Sequence, residues 1–112
     1  MQLFRAFPTC NKMNSSGAVA QVSGGLLDGL GAALYQQITL NEGKAQQSNF
    51  HDYPLLRITE APDVEIEFLD TKRNPGGLGE VSYPAAAPAI CNALFAAHGK
   101  RISRLPIGQQ LG

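Results

Sequence analysis

The sequence predicts a small α+β domain, in which about two helices pack on one face of a small mixed sheet, forming a sub-domain of something larger. Three observations carry that prediction. One segment repeats large apolar residues at every fourth position, the period of a helix that buries one face, and another alternates apolar with polar residues, the period of a half-buried strand. The third is size: 112 residues, 44% of them hydrophobic, are enough for one core and not for two.

The first helix is expected over residues 18–37, where Val22, Leu26, Leu30 and Leu34 recur at intervals of four with Leu27 alongside. Gly24, Gly25, Gly29 and Gly31 fall inside it, and each weakens a helix by about 1 kcal/mol relative to Ala. Their presence points to close approach, because a glycine lets another chain or a ligand lie against the main chain where a Cβ would clash. A hairpin is expected next, with arms 37–40 and 44–47 about Asn41-Glu42-Gly43, the glycine taking the left-handed position of a three-residue turn. The polar-aromatic stretch 48–54 interrupts the pattern. Val64, Ile66 and Phe68 then alternate with Glu65, Glu67 and Leu69, a strand with one wet face. Residues 70–79 (DTKRNPGGLG) have the turn chemistry of a long loop. A second helix begins near residues 84–88, where proline is tolerated in the first turn, buries Ile90, Leu94 and Ala97, and ends in a glycine cap at His98-Gly99. A last short strand is expected over 101–107, with Ile102, Leu105 and Ile107 as its apolar members.

Charge narrows the function classes. Nine Lys+Arg balance nine Asp+Glu, so there is no basic excess to hold nucleic-acid phosphates or anionic lipid. Neither nucleic acid nor a membrane surface is an expected partner. The apolar-leaning stretch 22–35 is broken by four glycines and Asp28 and is too short to span a bilayer, and the opening MQLFRAFP has no uninterrupted apolar run of the signal-peptide kind. These features predict a soluble, cytoplasmic chain, with export as part of a periplasmic assembly as the alternative. Cys10 and Cys91 lie far apart with no C-x-x-C spacing and no histidine cluster, which argues against a zinc knuckle, a redox dithiol or a disulfide scaffold. A small free-standing domain normally carries more surface charge than the 16% charged residues here. The composition suits a chain that sits inside a larger assembly.

Several residues invite chemistry. His51 and Asp52 are adjacent, so on a strand they would face opposite ways and could not form an acid-base pair; a turn stabilised by Asn49, His51 and Tyr53, with Arg57 paired to a nearby carboxylate, is the simpler account. Cys91, among small apolar helical residues, reads as a small hydrophobe. Ser23 lacks the leading glycine and the preceding strand of a nucleophile elbow. The loop Gly76-Gly77-Leu78-Gly79-Glu80 is neither a Walker loop nor a dinucleotide fingerprint. It nevertheless exposes backbone N–H groups beside one carboxylate, and on residues alone it is either a solvated loop or an anion or cofactor site.

Read in order, QVSGGLLDGL (21–30), QSNFHDY (47–53), GGLGE (76–80) and APAICNA (87–93) resemble the C-terminal end of the large subunit of molybdenum hydroxylases of the xanthine dehydrogenase and aldehyde oxidase family. The isoquinoline oxidoreductase beta-subunit branch is the nearest in flavour. The resemblance spans residues 21–107, which divides the chain into a poorly matching N-terminal segment, 1–17, and a C-terminal segment of a molybdopterin-binding domain, 18–112. It implies a molybdopterin cofactor and hydroxylation of aldehydes or N-heterocycles with oxygen from water. It implies Glu80 as the general base that takes a proton from the attacking oxygen, Gly79 as the residue that brings backbone close to the cofactor, and Gln21 as a cofactor contact. A glutamine amide both donates and accepts hydrogen bonds, as a pterin edge requires.

Departures from the family pattern bear on that reading. Ser23 stands where the family usually has Glu, and residues 10–14 match poorly the signature expected there. The upstream cofactor loops have no counterpart in these 112 residues, and two cysteines cannot hold a four-cysteine cluster. The expected partners are therefore the rest of the large subunit and an iron-sulfur subunit or domain. Two functions follow: a segment that supplies the catalytic Glu and part of the molybdopterin site but is inactive alone, or a non-catalytic remnant or interaction domain that keeps the fold. An unrelated small binding module is the third, less favoured, reading.

Overall fold

The computed structural model describes residues 7–10, 14–71 and 76–110. Strand β1 (Phe7–Cys10) precedes helix α1 (Ser15–Leu34). Two short strands follow, β2 (Leu40–Asn41) and β3 (Lys44–Ala45). Strand β4 (Phe68–Thr71) leads to helix α2 (Tyr83–His98) and a 3-10 turn, Ile107–Gln110. The expected α+β class is observed. Parallel and antiparallel pairing both occur, but in two separate two-stranded ribbons and not in one sheet: β1 with β4 in parallel, β2 with β3 antiparallel.

Helix α1 starts and ends three residues earlier than the expected 18–37; the Asn14 side chain accepts a hydrogen bond from the Gly17 N–H and caps the first turn. Its predicted stripe is the buried one. Val22, Leu26, Leu30 and Ala33 are buried, with Leu27 and Leu34 half-buried beside them. In α2 the buried stripe lies further toward the N-terminus than expected: Ala86 and Ile90 are buried, Leu94 is half-buried, and Ala97 is exposed. The cap is the expected one, with Gly99 left-handed at φ 70° and its N–H donating to the Phe95 carbonyl at 2.8 Å.

The hairpin is real but shorter than predicted. Asn41 belongs to β2, and the turn is the two residues Glu42 (φ 49°) and Gly43 (φ 76°), both left-handed, the geometry that matches strand twist in two-residue hairpins. Over 64–69 the burial alternates as expected, with 64, 66 and 68 half-buried and 65, 67 and 69 exposed. Ladder pairing begins only at Phe68, where β1 supplies a partner. β1 had no expectation in the sequence: it is four residues long, contains Pro8, and pairs with residues some sixty positions away. Part of the 70–79 loop, residues 72–75, and residues 11–13 of the poorly matching start lie outside the described residues.

The expected last strand over 101–107 does not form. Pro106 has no N–H for a ladder, and Ile102 and Ile107 turn instead into the helix pair, where they join Leu30, Ala33 and Ile90 in the core. The helices thus pack on each other, closed at one end by the C-terminal turn. The Cα radius of gyration is 16.3 Å, against about 13 Å for a compact domain of this length, and Leu40, Phe50 and Ile58 stay exposed. No helix among the described residues is long and apolar enough to cross a membrane.

Candidate functional site

The glycines of α1 mark where a second main chain crosses it. A Cβ built on Gly25 would stand 2.6 Å from the Gly79 carbonyl oxygen and 2.5 Å from Ser82 Oγ, and one on Gly29 would collide with the Tyr83 carbonyl and Ala86. Real Cβ atoms do not make such contacts, so only glycine admits the segment 79–86 at this distance. Gly24, on the neighbouring face, meets open space. Of the four glycines expected to mark close approach, Gly25 and Gly29 thus meet the end of the glycine-rich loop and the first turn of α2, and Gly31 lies against Leu56.

Ser82 fastens the crossing. It is fully buried, and its hydroxyl donates to the Val22 carbonyl at 2.9 Å. Sequence reasoning passed over this residue. Its place just ahead of a proline-started helix suggests an N-cap, yet its side chain makes no capping bond and reaches across to α1. The signal was a polar residue at a position where helix entry and helix crossing coincide.

Two of the three expected site residues lie against each other. A Cβ built on Gly79 would stand 3.3 Å from Gln21 Oε1, so the Gln21 side chain lies over the Gly79 backbone. Glu80 is the next residue. Gln21, Gly79 and Glu80 are all exposed, as are Gly76 and Gly77, and neither the Gln21 amide nor the Glu80 carboxylate is bonded to another described residue. The arrangement is an open ledge with one donor-acceptor amide, bare glycine backbone and one carboxylate. Ser23, where a Glu was expected by resemblance, is half-buried on the same helix.

The 48–54 segment is the turn that the sequence favoured, closed by Asp52 and Tyr53 N–H groups donating to the Asn49 carbonyl. His51 Nε2 lies 3.6 Å from Asp52 Oδ2, close enough for an ion pair when the imidazole is protonated. Asp52 organises the turn: its carboxylate accepts from the Ser48 and Asn49 backbone N–H groups at 2.9 Å each. Those bonds, first from Asn49 and then from Ser48, hold its carboxyl below the usual carboxylate range. The carboxylate pairing expected for Arg57 is not made by its side chain to any described residue; instead its backbone N–H donates to Glu60 Oε2 at 2.9 Å, closing the turn. Two tyrosines anchor this region to the residues just after α1: Tyr53 donates to Gln36 Oε1 and Tyr35 to Glu60 Oε1, both at 3.1 Å. Partial burial, followed by the Glu60 contact, raises the Tyr35 phenol above its ordinary value. Cys91 is half-buried against the core, in keeping with a small hydrophobe.

The sequence profile of the molybdopterin cofactor-binding domain matches residues 10–62, which take in α1 and its glycines. The chain belongs to the family of molybdopterin-binding subunits that includes isoquinoline oxidoreductase and xanthine dehydrogenase, as a segment of such a subunit. It is 35% identical over 88 residues to isoquinoline 1-oxidoreductase subunit beta of Brevundimonas diminuta, covering 79% of this chain and 11% of that protein. It is 37% identical over 95 residues to a membrane-bound aldehyde dehydrogenase [pyrroloquinoline-quinone] of Gluconacetobacter polyoxogenes, covering 85% of this chain and 12% of that protein. The crystal structure of quinoline 2-oxidoreductase from Pseudomonas putida 86 superposes with a TM-score of 0.81 at 22% identity, over 95% of this chain and 15% of the other, which establishes the fold. The chain therefore spans only about a ninth to a seventh of the length of these relatives.

Proposed function

We propose that this chain supplies part of the molybdopterin wall and the general base of a molybdenum hydroxylase that acts on aldehydes or N-heterocycles, and that it is inactive alone. The observation that carries this reading is the Gln21 side chain lying over Gly79, directly before Glu80. The donor chemistry fits the group: an uncommitted amide with both hydrogen-bonding senses and glycine backbone bare of side chains suit the polar edge of a pterin. In this reading Gln21 and Gly79 hold the cofactor, which when bound supplies redox and Lewis-acid chemistry for hydroxylation with oxygen from water. Glu80 accepts the proton released as the new carbon–oxygen bond forms, a role supported by its being an exposed carboxylate one residue from Gly79. Ser82 positions Glu80 indirectly, by fixing the loop to α1. The remaining cofactor contacts come from the rest of the large subunit, and electrons leave through an iron-sulfur subunit or domain, since a four-cysteine cluster needs more cysteines than the two here.

The test replaces Glu80 with Gln in the assembled enzyme. Turnover should fall by roughly two to four orders of magnitude with molybdenum content unchanged; unchanged turnover would remove the base assignment and leave the non-catalytic remnant as the better account. Metal analysis of the isolated chain should find no stoichiometric molybdenum. Quinone analysis of the assembly addresses the cofactor named for the Gluconacetobacter relative: a quinone in place of molybdopterin would overturn the cofactor assignment.

A further inference from the structure

We infer that the groove between α1 and the 55–61 turn is a docking seat for an apolar side chain from the remainder of the large subunit, an inference that rests on the reading above. The groove is open and about 370 Å³ in volume, with Leu27, Gly31, Leu56 and Ala61 among its lining together with the charged Asp28 and Arg57. Its outer wall is held in place. Tyr35 and Gln36, the two residues that follow α1, bond to Glu60 and Tyr53 respectively, and the Glu60 and Ala61 N–H groups both donate to the Arg57 carbonyl. That fixed turn presents Ile58 with 92% of its surface in water, beside Leu55, itself exposed. A rigid turn that holds an isoleucine outward beside an apolar groove is the anatomy of an interface centre, an apolar spot ringed by polar groups.

The occupant follows from length and charge. The relatives carry 85–89% of their length outside the region this chain matches, and a family member needs that remainder close by. Neither the Asp28 carboxylate nor the Arg57 guanidinium is paired with another described residue. The matching surface therefore offers a branched or aromatic side chain flanked by a cation for Asp28 and a carboxylate for Arg57.

Hydrogen exchange tests this, comparing the chain alone with the chain assembled with the rest of its large subunit. Amides of residues 55–61 should exchange at least about tenfold more slowly in the assembly. Ile58→Asp should abolish that slowing while leaving the isolated chain's melting temperature unchanged, since a side chain so exposed contributes little to its own fold. Equal exchange in both states, or full protection retained in Ile58→Asp, would overturn the inference. A chain that is dimeric alone and monomeric as Ile58→Asp would overturn the choice of occupant. Molybdenum content, read on the same assembly, separates the two levels: protection at 55–61 in an assembly that binds no molybdenum would overturn the functional reading and leave the docking seat standing.

Discussion

The Ser82 hydroxyl donates a 2.9 Å hydrogen bond to the Val22 carbonyl, and both residues have no exposed surface. Residue 82 follows Glu80 by two positions and residue 22 follows Gln21 by one, so a single buried bond joins the two strands of chain that bear the proposed site. Ser82→Ala should lower the stability of the chain by about 1 kcal/mol, the usual net worth of such a bond. Urea unfolding measures this, and an unchanged midpoint would show that the clip contributes nothing.

The α1 glycines should respond to the same substitution with opposite signs. Gly24→Ala meets open space and removes a helix-weakening residue, so it should stabilise the chain by up to about 1 kcal/mol. Gly25→Ala and Gly29→Ala place a methyl against the Gly79 and Tyr83 carbonyls, and should destabilise by roughly 1–3 kcal/mol as the backbones are forced apart. Thermal unfolding of the three variants decides it.

Asp52 should confer an acid-dependent stability. Its folded pKa lies below the unfolded one, so its contribution is complete above the unfolded value of about 3.9 and is lost as pH falls through the folded value. The stability gap between the chain and its Asp52→Ala variant should therefore close as unfolding is followed from pH 6 down to pH 2. A gap that stays constant over that range would show that the Ser48 and Asn49 bonds do not depend on the charge.

Gln21 and Glu80 should separate cofactor retention from turnover. In the assembled enzyme, Gln21→Ala removes an amide that binds and takes no part in proton transfer, so bound molybdopterin should fall while activity per molybdenum is largely kept. Molybdenum content set against the rate per molybdenum reads this directly, and a loss of rate at full occupancy would move Gln21 out of the binding role.

Where the physics was local, the sequence was legible. The four-residue repeat of α1, the glycine cap at Gly99 and the alternation over 64–69 each depend on side chains and backbone within a few residues of one another. The hidden parts were those settled at a distance. β1 exists because β4 arrives beside it, and the 101–107 strand fails because Ile102 and Ile107 find the helix pair. At the candidate site the glycine spacing announced a close approach and left its partner unnamed. Ser82, an ordinary residue in the sequence, became visible only once the Val22 carbonyl stood beside it.

At Gly25 and Gly29 the two main chains meet with no side chain between them. A contact cushioned by side chains can give through rotamer changes, whereas carbonyl against bare backbone has almost no compliance. The first helix and the 79–86 segment therefore form a stiff mechanical couple, and a small rotation of the helix about its axis displaces Gly79 and Glu80 along with Gln21.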